Sequence, residues 1–252
     1  MAASDRLEGR RALVTGASSG LGRHFARVLA EAGAEVVLAA RRTAALEELA
    51  AQIGKRARCV PLDVTDPASV AAAVAAAGPI DVLVNNAGVS RAQPVLEVGV
   101  EDYDYVMDAN LRGAFLVATA VARGMRDRSK SGGGGGAIVN VASILGLAQG
   151  GQLAVYAMSK AGVVQMTKQM ALELARFGIR VNALAPGYFA TDMNRDFLES
   201  KLGEAMARRI PQRRFGAFED LDGPLLLLCS DASRYMTGVV IPVDGGHLLG
   251  TL

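Results

Sequence analysis

The stretch "ALVTGASSGLG", residues 12–22, decides the fold. A short apolar run leads into Gly16, Gly20 and Gly22, and a segment with helical apolar spacing follows. Strand, glycine turn and helix in that order open a βα unit. Glycines at the turn let the backbone approach a pyrophosphate closely, and the N–H groups that start the helix carry partial positive charge to bind it. The spacing is GxxxGxG, not the common dinucleotide fingerprint GxGxxG. Taken alone, the stretch also fits a glycine-rich turn with no ligand.

Outward from this turn the same alternation repeats. Apolar, strand-forming runs lie near 12–15, 36–39, 58–61, 82–85, 137–141, 180–185 and 239–242. Between them, helices are expected to start near Gly20, Thr43, Pro67, Val100, Leu153 and Glu219, with a further one over 196–208. Seven such runs predict an α/β fold of repeated βα units around a parallel sheet. No change of composition marks a linker, so residues 1–252 are expected to form one domain. The low-complexity segment "RDRSKSGGGGG", 126–136, is expected as a surface loop, because consecutive glycines weaken helices and strands alike.

Composition removes several function classes. The 252-residue chain has 27 Lys and Arg against 25 Asp and Glu, a net charge of +2 that is too mild to argue for nucleic acid. Cys59 and Cys229 lie far apart in apolar runs, which fits reduced thiols in a cytoplasmic protein. No apolar run approaches the roughly 18 residues of a membrane span, and the first ten residues are too polar for a secretory leader. With His24 and His247 alone and no clustered cysteines, no metal site is expected.

Two further strand ends fall on the edge that carries the glycine turn. Asp63 and Val64 follow the third strand, and Asn85, Asn86, Ala87 and Gly88 close the fourth. In an open parallel sheet, ligands bind outside the carboxyl ends of the strands, so these residues converge on one crevice. Each also has a plainer reading as a turn or an Asx-type cap.

"AVYAMSKAG" sets Tyr156 and Lys160 four residues apart, on one helical face. A neighbouring ammonium stabilises phenolate, so the Tyr156 pKa is expected to fall from its reference value near 10. Ser143, at the end of the fifth strand, can hydrogen-bond a substrate oxygen on the same edge. A Tyr-Lys pair at this spacing also arises by chance; the convergence of hydroxyl, phenol and ammonium on a dinucleotide edge is what gives it weight.

Together these pieces resemble the short-chain dehydrogenase/reductase family over nearly the whole chain. The matching residues are Thr15-Gly16-Ala17-Ser18-Ser19-Gly20-Leu21-Gly22, Asp63, Asn85 to Gly88, Asn110, Ser143, Tyr156 with Lys160, Asn182, and Pro186-Gly187. The resemblance implies a single Rossmann-like, doubly wound domain with a seven-stranded parallel sheet, commonly assembled as a homotetramer. It implies that Tyr156 passes a proton to the substrate oxygen, that Ser143 holds that oxygen, and that Lys160 binds the nicotinamide ribose. Asn110 would hold a water in a proton relay; read from the residues alone, it is equally a structural residue disturbing a helix. For the cofactor the resemblance carries Gly16, Ser18, Leu21, Asp63, Val64, Asn86, Ala87, Gly88, Tyr156, Lys160, Pro186, Gly187, Phe189 and Thr191. Phe189 departs from the smaller aliphatic residue usual there, which leaves its contact to the backbone.

The second strand bears on the choice of dinucleotide. An acid that binds the ribose diol of NAD is expected about 20 residues after the glycine turn. Here Ala39-Ala40 are followed by Arg41-Arg42. Alanine removes repulsion toward a 2′-phosphate, and arginine binds it through charge-assisted hydrogen bonds. NADP(H) is therefore expected over NAD(H), with Arg41 the main contact and Arg42 and Thr43 helpers, against the plainer reading of two solvent-facing arginines.

Residues 188–214 follow the nicotinamide site and are expected as a substrate lid, with Met193, Phe197, Leu198 and Met206 as its apolar face. Leu145, Gln149 and Leu153 are candidate pocket walls. Basic runs at Arg123, Arg126, Arg128 and Lys130, and at Arg208, Arg209, Arg213 and Arg214, could attract a coenzyme A or acyl-carrier thioester. The expected activity is NADP(H)-dependent interconversion of a ketone, aldehyde or 3-oxoacyl thioester with its alcohol. An NAD-dependent alcohol, sugar or steroid dehydrogenase is the alternative. A non-catalytic dinucleotide sensor is the reading from another class, although it would have no need of Ser143, Tyr156 and Lys160.

Overall fold

In the computed structural model, residues 7–191 and 195–250 are described, Arg195 and Phe197 by their backbone. Seven parallel strands form one sheet: β1 (Arg11–Thr15), β2 (Glu35–Ala40), β3 (Ala57–Pro61), β4 (Val82–Asn85), β5 (Gly136–Val141), β6 (Ile179–Pro186) and β7 (Val240–Val243). Their order is β3-β2-β1-β4-β5-β6-β7. Parallel strands need crossover connections, so helices cover both faces and the central strands read as unbroken apolar runs. In β1 every residue after Arg11 is buried.

Helices α1 (Gly20–Glu31), α2 (Thr43–Ile53) and α9 (Asp222–Cys229) pack Phe25, Leu29, Leu46, Leu49 and Leu225 against Val14, Val36, Leu38 and Val84 on one face. Helices α3 (Pro67–Ala77), α5 (Gly113–Lys130) and α6 (Ala154–Leu174) pack Val70, Val121, Met125 and Met170 against Leu13, Val37, Leu83 and Ile138 on the other. Successive strand residues thus serve opposite layers, the period-two rule that fixes register. Polar residues cross this core as a satisfied chain. Thr15 Oγ1 meets Asn85 Oδ1 at 3.5 Å, Asn85 Nδ2 donates to Asn140 Oδ1 at 3.2 Å, and Asn140 Nδ2 donates to Thr167 Oγ1 at 2.9 Å.

Two expected boundaries are corrected. The segment 126–136 is not all loop: α5 runs to Lys130, residues 131–135 connect, and Gly136 opens β5. Arg128 anchors the last turn by donating to the Ile80 carbonyl and pairing with Asp81 at 3.5 Å, contacts that a reading of low complexity could not see. Glycine is required at 135, where a Cβ would overlap the Gly178 carbonyl. The helix expected over 196–208 is two, α7 (Arg195–Leu198) and α8 (Lys201–Ala207). They are separated at Ser200, whose hydroxyl caps α8 by accepting from Gly203 N at 3.3 Å.

Helix α4 (Val100–Met107) runs into α5 through a π-helical segment, Asp108–Arg112. The wider turn rotates Asn110 inward, to 1% exposure. At its far end Gly113 lies so close to Val64 that a Cβ would sit 2.8 Å from Val64 Cγ2.

Candidate active site

Strand order reverses between β1 and β4, and a cleft of about 600 Å³ opens at their carboxyl ends. It is lined by Gly16, Ser18, Leu21, Ala40, Arg41, Arg42, Asp63, Val64, Asn86, Ala87, Gly88, Ser143, Tyr156, Lys160, Pro186, Gly187, Phe189 and Thr191. The cofactor residues named from the sequence therefore share one cavity. Asn110 is not in its lining; it stands behind Gly88, where a Cβ would lie 3.1 Å from Asn110 Oδ1 and 3.6 Å from Lys160 Nζ.

The floor is built by close backbone approach. Gly16 and Gly20 adopt φ of 67° and 52°, left-handed values that favour glycine, and a Cβ on Gly22 would overlap the Gly16 carbonyl. Thr15 Oγ1 accepts from Asn86 N at 2.9 Å and Ala87 N at 3.0 Å, while Asn86 Nδ2 donates to Thr15 O at 3.0 Å. These bonds knit the β1 and β4 ends together. The first turn of α1 has no acidic residue and no side-chain cap, so its N–H groups face an anion site without competition. A glycine cradle, a bare helix start and an elongated cleft fit a dinucleotide.

At the far corner Arg42 bends onto the glycine loop. Its Nη2 donates to Ser19 Oγ at 2.6 Å and Ser18 Oγ at 3.1 Å. Arg41 is exposed beside Asp63, whose carboxyl is held below its usual pKa by Thr65, through backbone N–H and hydroxyl, with a smaller contribution from Arg41. Two guanidinium groups and the Ser18 hydroxyl thus flank the end of β2, where Ala39 and Ala40 carry no opposing charge.

At the other end of the cleft lie Ser143, Tyr156 and Lys160. Ser143 Oγ accepts from Leu145 N at 3.1 Å and shares the cleft with the Tyr156 phenol. Lys160 is 4% exposed, its Nζ donates to the Val141 carbonyl at 2.8 Å, and it lies 5.7 Å from the Tyr156 ring centroid. Asn110 Oδ1 accepts from Val89 N at 2.7 Å, and Asn110 Nδ2 donates to Val89 O at 2.9 Å and Ser159 Oγ at 3.0 Å. Ser159 in turn donates to the Tyr156 carbonyl at 2.7 Å. Ser159 was missed in the sequence; its only signal is a small polar residue inside the Tyr-to-Lys turn.

The expected fall in the Tyr156 pKa is corrected. Burial of the phenol pushes it up, the neighbouring Ser143 hydroxyl opposes this, and the nearby Tyr188 adds to the rise. Burial likewise pushes Lys160 down, to about 8. Desolvation dominates both shifts because each group leaves water, and the Lys160 ammonium is directed to the Val141 carbonyl.

Beyond β6, Gly187 lets the chain pass Asp244, where a Cβ would lie 2.8 Å from Asp244 Cα. Phe189 is 4% exposed, and its ring fills the space over Gly216, with which its backbone forms a parallel bridge. Thr191 reaches back to the glycine loop, its Cγ2 3.6 Å from a Cβ placed on Gly20. Of the lid residues, Leu198 is buried, Met206 half-buried, and Met193 and the Phe197 side chain lie outside the described residues. Leu145, Gln149 and Leu153 do not line the cleft; Leu145 is turned into the protein, within 3.0 Å of a Cβ placed on Gly150.

Residues 16–247 match the family described as Enoyl-(Acyl carrier protein) reductase. The chain is 41% identical over 249 residues to gluconate 5-dehydrogenase of Gluconobacter oxydans (strain 621H), covering 95% of each protein. The chain belongs to the short-chain dehydrogenase/reductase family. It is also 36% identical to the 3-oxoacyl-[acyl-carrier-protein] reductase FabG of Vibrio cholerae, over 95% of this chain and 98% of that one. The crystal structure of a gluconate 5-dehydrogenase from Burkholderia cenocepacia, in complex with NADP and tartrate, superposes with a TM-score of 0.90 at 38% identity, covering 98% of both chains. This short-chain dehydrogenase/reductase is therefore a dinucleotide-binding oxidoreductase acting between carbonyl and alcohol. Among its described residues no helix is long and apolar enough to cross a membrane.

Proposed function

We propose that the protein is a cytoplasmic NADP(H)-dependent oxidoreductase that interconverts a keto sugar acid, or a closely related polyhydroxy ketone, with its alcohol. The observation that carries this reading is that Ser143, Tyr156 and Lys160 share one cleft with Ala40, Arg41 and Arg42. The whole chain acts as one dinucleotide-binding and catalytic domain.

In this reading Arg41, Arg42 and Ser18 hold the 2′-phosphate, the α1 start holds the pyrophosphate, and Asp63 meets the adenine. Asn86 to Gly88 and Pro186 to Thr191 enclose the ribose and nicotinamide, with Lys160 on the ribose hydroxyls. A bound reduced nicotinamide supplies hydride to the carbonyl carbon. Ser143 donates a hydrogen bond to the carbonyl oxygen, and Tyr156 delivers the proton that this oxygen needs as it becomes an alcohol. Asn110, fixed on Val89 and Ser159, stands where a water can pass protons toward Lys160. In the reverse direction Tyr156 takes the proton back.

The sugar-acid substrate class is supported by the gluconate dehydrogenase relatives. The basic runs give little support to a carrier thioester, because four of their eight charges are met by acidic neighbours. Arg126 pairs with Asp127 at 2.8 Å, Arg128 with Asp81, Arg208 with Glu204 at 3.9 Å, and Arg214 with Asp220 at 2.5 Å. A homotetramer is the expected assembly. Initial rates of NADPH and NADH oxidation with 5-ketogluconate, L-xylulose and acetoacetyl-CoA test the reading. Turnover of the keto acid with a preference for NADPH is expected. Turnover of the thioester alone would replace the substrate class, and an NADH preference would overturn the role of the arginines.

A further inference from the structure

Residues outside the catalytic set tie down both ends of the turn that carries Tyr156. On one side, Tyr156 O accepts from Ser159, Ser159 accepts from Asn110, and Asn110 clamps both backbone groups of Val89. On the other, Gln93 N donates to Gln152 O at 2.8 Å, one residue before the cap of α6 and within the turn that leads to Tyr156. The segment from Val89 to Gln93 therefore bridges the two ends of the turn that presents the phenol. Gln152 has a φ of 60°, a left-handed value uncommon in a residue other than glycine, so this backbone is held by its surroundings and not by its own preference.

What holds Gln93 is Asp102, in the first turn of α4. Asp102 Oδ2 accepts from Gln93 Nε2 at 2.8 Å. Its other oxygen pairs with Arg91, whose guanidinium stacks 4.2 Å from the Tyr105 ring centroid. A carboxylate at a helix start is favoured by the dipole, and its two oxygens here grip the Arg91 and Gln93 side chains of the bridging segment.

We propose that Asp102 is a positioning residue for the acid–base tyrosine: through Gln93 it fixes the Gln152 turn, and so the register in which Tyr156 meets Ser143. The inference rests on the reading of Tyr156 as the proton donor. A phenol displaced by a fraction of an ångström keeps the cofactor site intact and loses reaction geometry, so kcat suffers and cofactor binding does not.

Asp102→Ala is expected to lower kcat roughly tenfold while NADPH binding, followed by fluorescence titration, is unchanged. The apparent pKa of alcohol oxidation should move upward, because Tyr156 is displaced from the Ser143 hydroxyl whose influence lowers it. Asp102→Asn keeps an acceptor for Gln93 and retains most of kcat. Gln93→Ala reproduces Asp102→Ala, and carries the test if that variant does not fold. Wild-type kcat and pH profile in both Asp102→Ala and Gln93→Ala overturn the proposal, as does an Asp102→Asn variant impaired as deeply as Asp102→Ala. Tyr156→Phe is measured alongside. If it turns over normally the tyrosine reading fails, whereas an inactive Tyr156→Phe beside a normal Asp102→Ala removes the positioning role alone.

Discussion

Lys160 buries an ammonium that donates to the Val141 carbonyl, and burial pushes its pKa from 10.5 to about 8. That depression corresponds to roughly 3 kcal/mol against the charged form. Below about pH 8 the side chain is protonated in folded and unfolded chains alike, so the penalty is fully present; it fades as pH rises from about 8 toward 10.5. Lys160→Met is thus expected to lose turnover by about a hundredfold or more, while Tm at pH 7, read by calorimetry, stays level or rises by a few degrees. A marked fall in Tm contradicts this. Tyr156 sets the second pH dependence. Its pKa is raised, and alcohol oxidation needs the phenolate, so oxidation should climb through the alkaline range while carbonyl reduction holds at neutral pH. A pH–rate profile of oxidation that is flat above neutrality would contradict it. The i, i+4 spacing made this pair legible in the sequence; the direction of the tyrosine shift was not, because burial is a property of the packed cleft.

At the scale of elements, the glycine turn was the most legible feature, because steric exclusion at Gly16 and Gly22 leaves a residue-level mark. Gly22→Ala pushes a methyl into the Gly16 carbonyl and to 2.5 Å from Asn86 Nδ2, and is expected to cost about 1–3 kcal/mol and most of the dinucleotide affinity. Denaturant melts and cofactor titration check both; wild-type values in each would show that the turn relaxes freely. Less legible were elements defined by distant partners. The end of α5 depends on Arg128 reaching Ile80 and Asp81, and the division of the 196–208 helix depends on the Ser200 cap. The π-helical segment at Asp108–Arg112 left a trace only as an asparagine in a helical run. Its consequence is an inward Asn110, held on Val89 and Ser159, which fits the reading of a residue that disturbs a helix and leaves the proposed relay role compatible with it.

At the scale of the whole molecule, α4, α5 and α6 border a groove of about 800 Å³ lined by Met107, Leu111, Phe115, Met166 and Met170, with Phe115 49% exposed. Apolar patches of this kind are where proteins associate, so the proposed homotetramer is tested at this face. Phe115→Asp is expected to shift the mass in light scattering to a smaller assembly, and an unchanged mass would remove this face from the interface. The parallel sheet and the crevice at its carboxyl edge followed from the alternation of strands and helices, because parallel connections permit few topologies. The substrate did not, since it is recognised by side chains brought together only in the fold. The most direct measurement is NADPH oxidation with 5-ketogluconate by the wild-type protein and Tyr156→Phe, with NADPH affinity determined for both. Turnover by the wild type, a loss of about a thousandfold in Tyr156→Phe and equal cofactor affinity are predicted. Undiminished turnover by Tyr156→Phe would contradict the assignment of this cleft's chemistry.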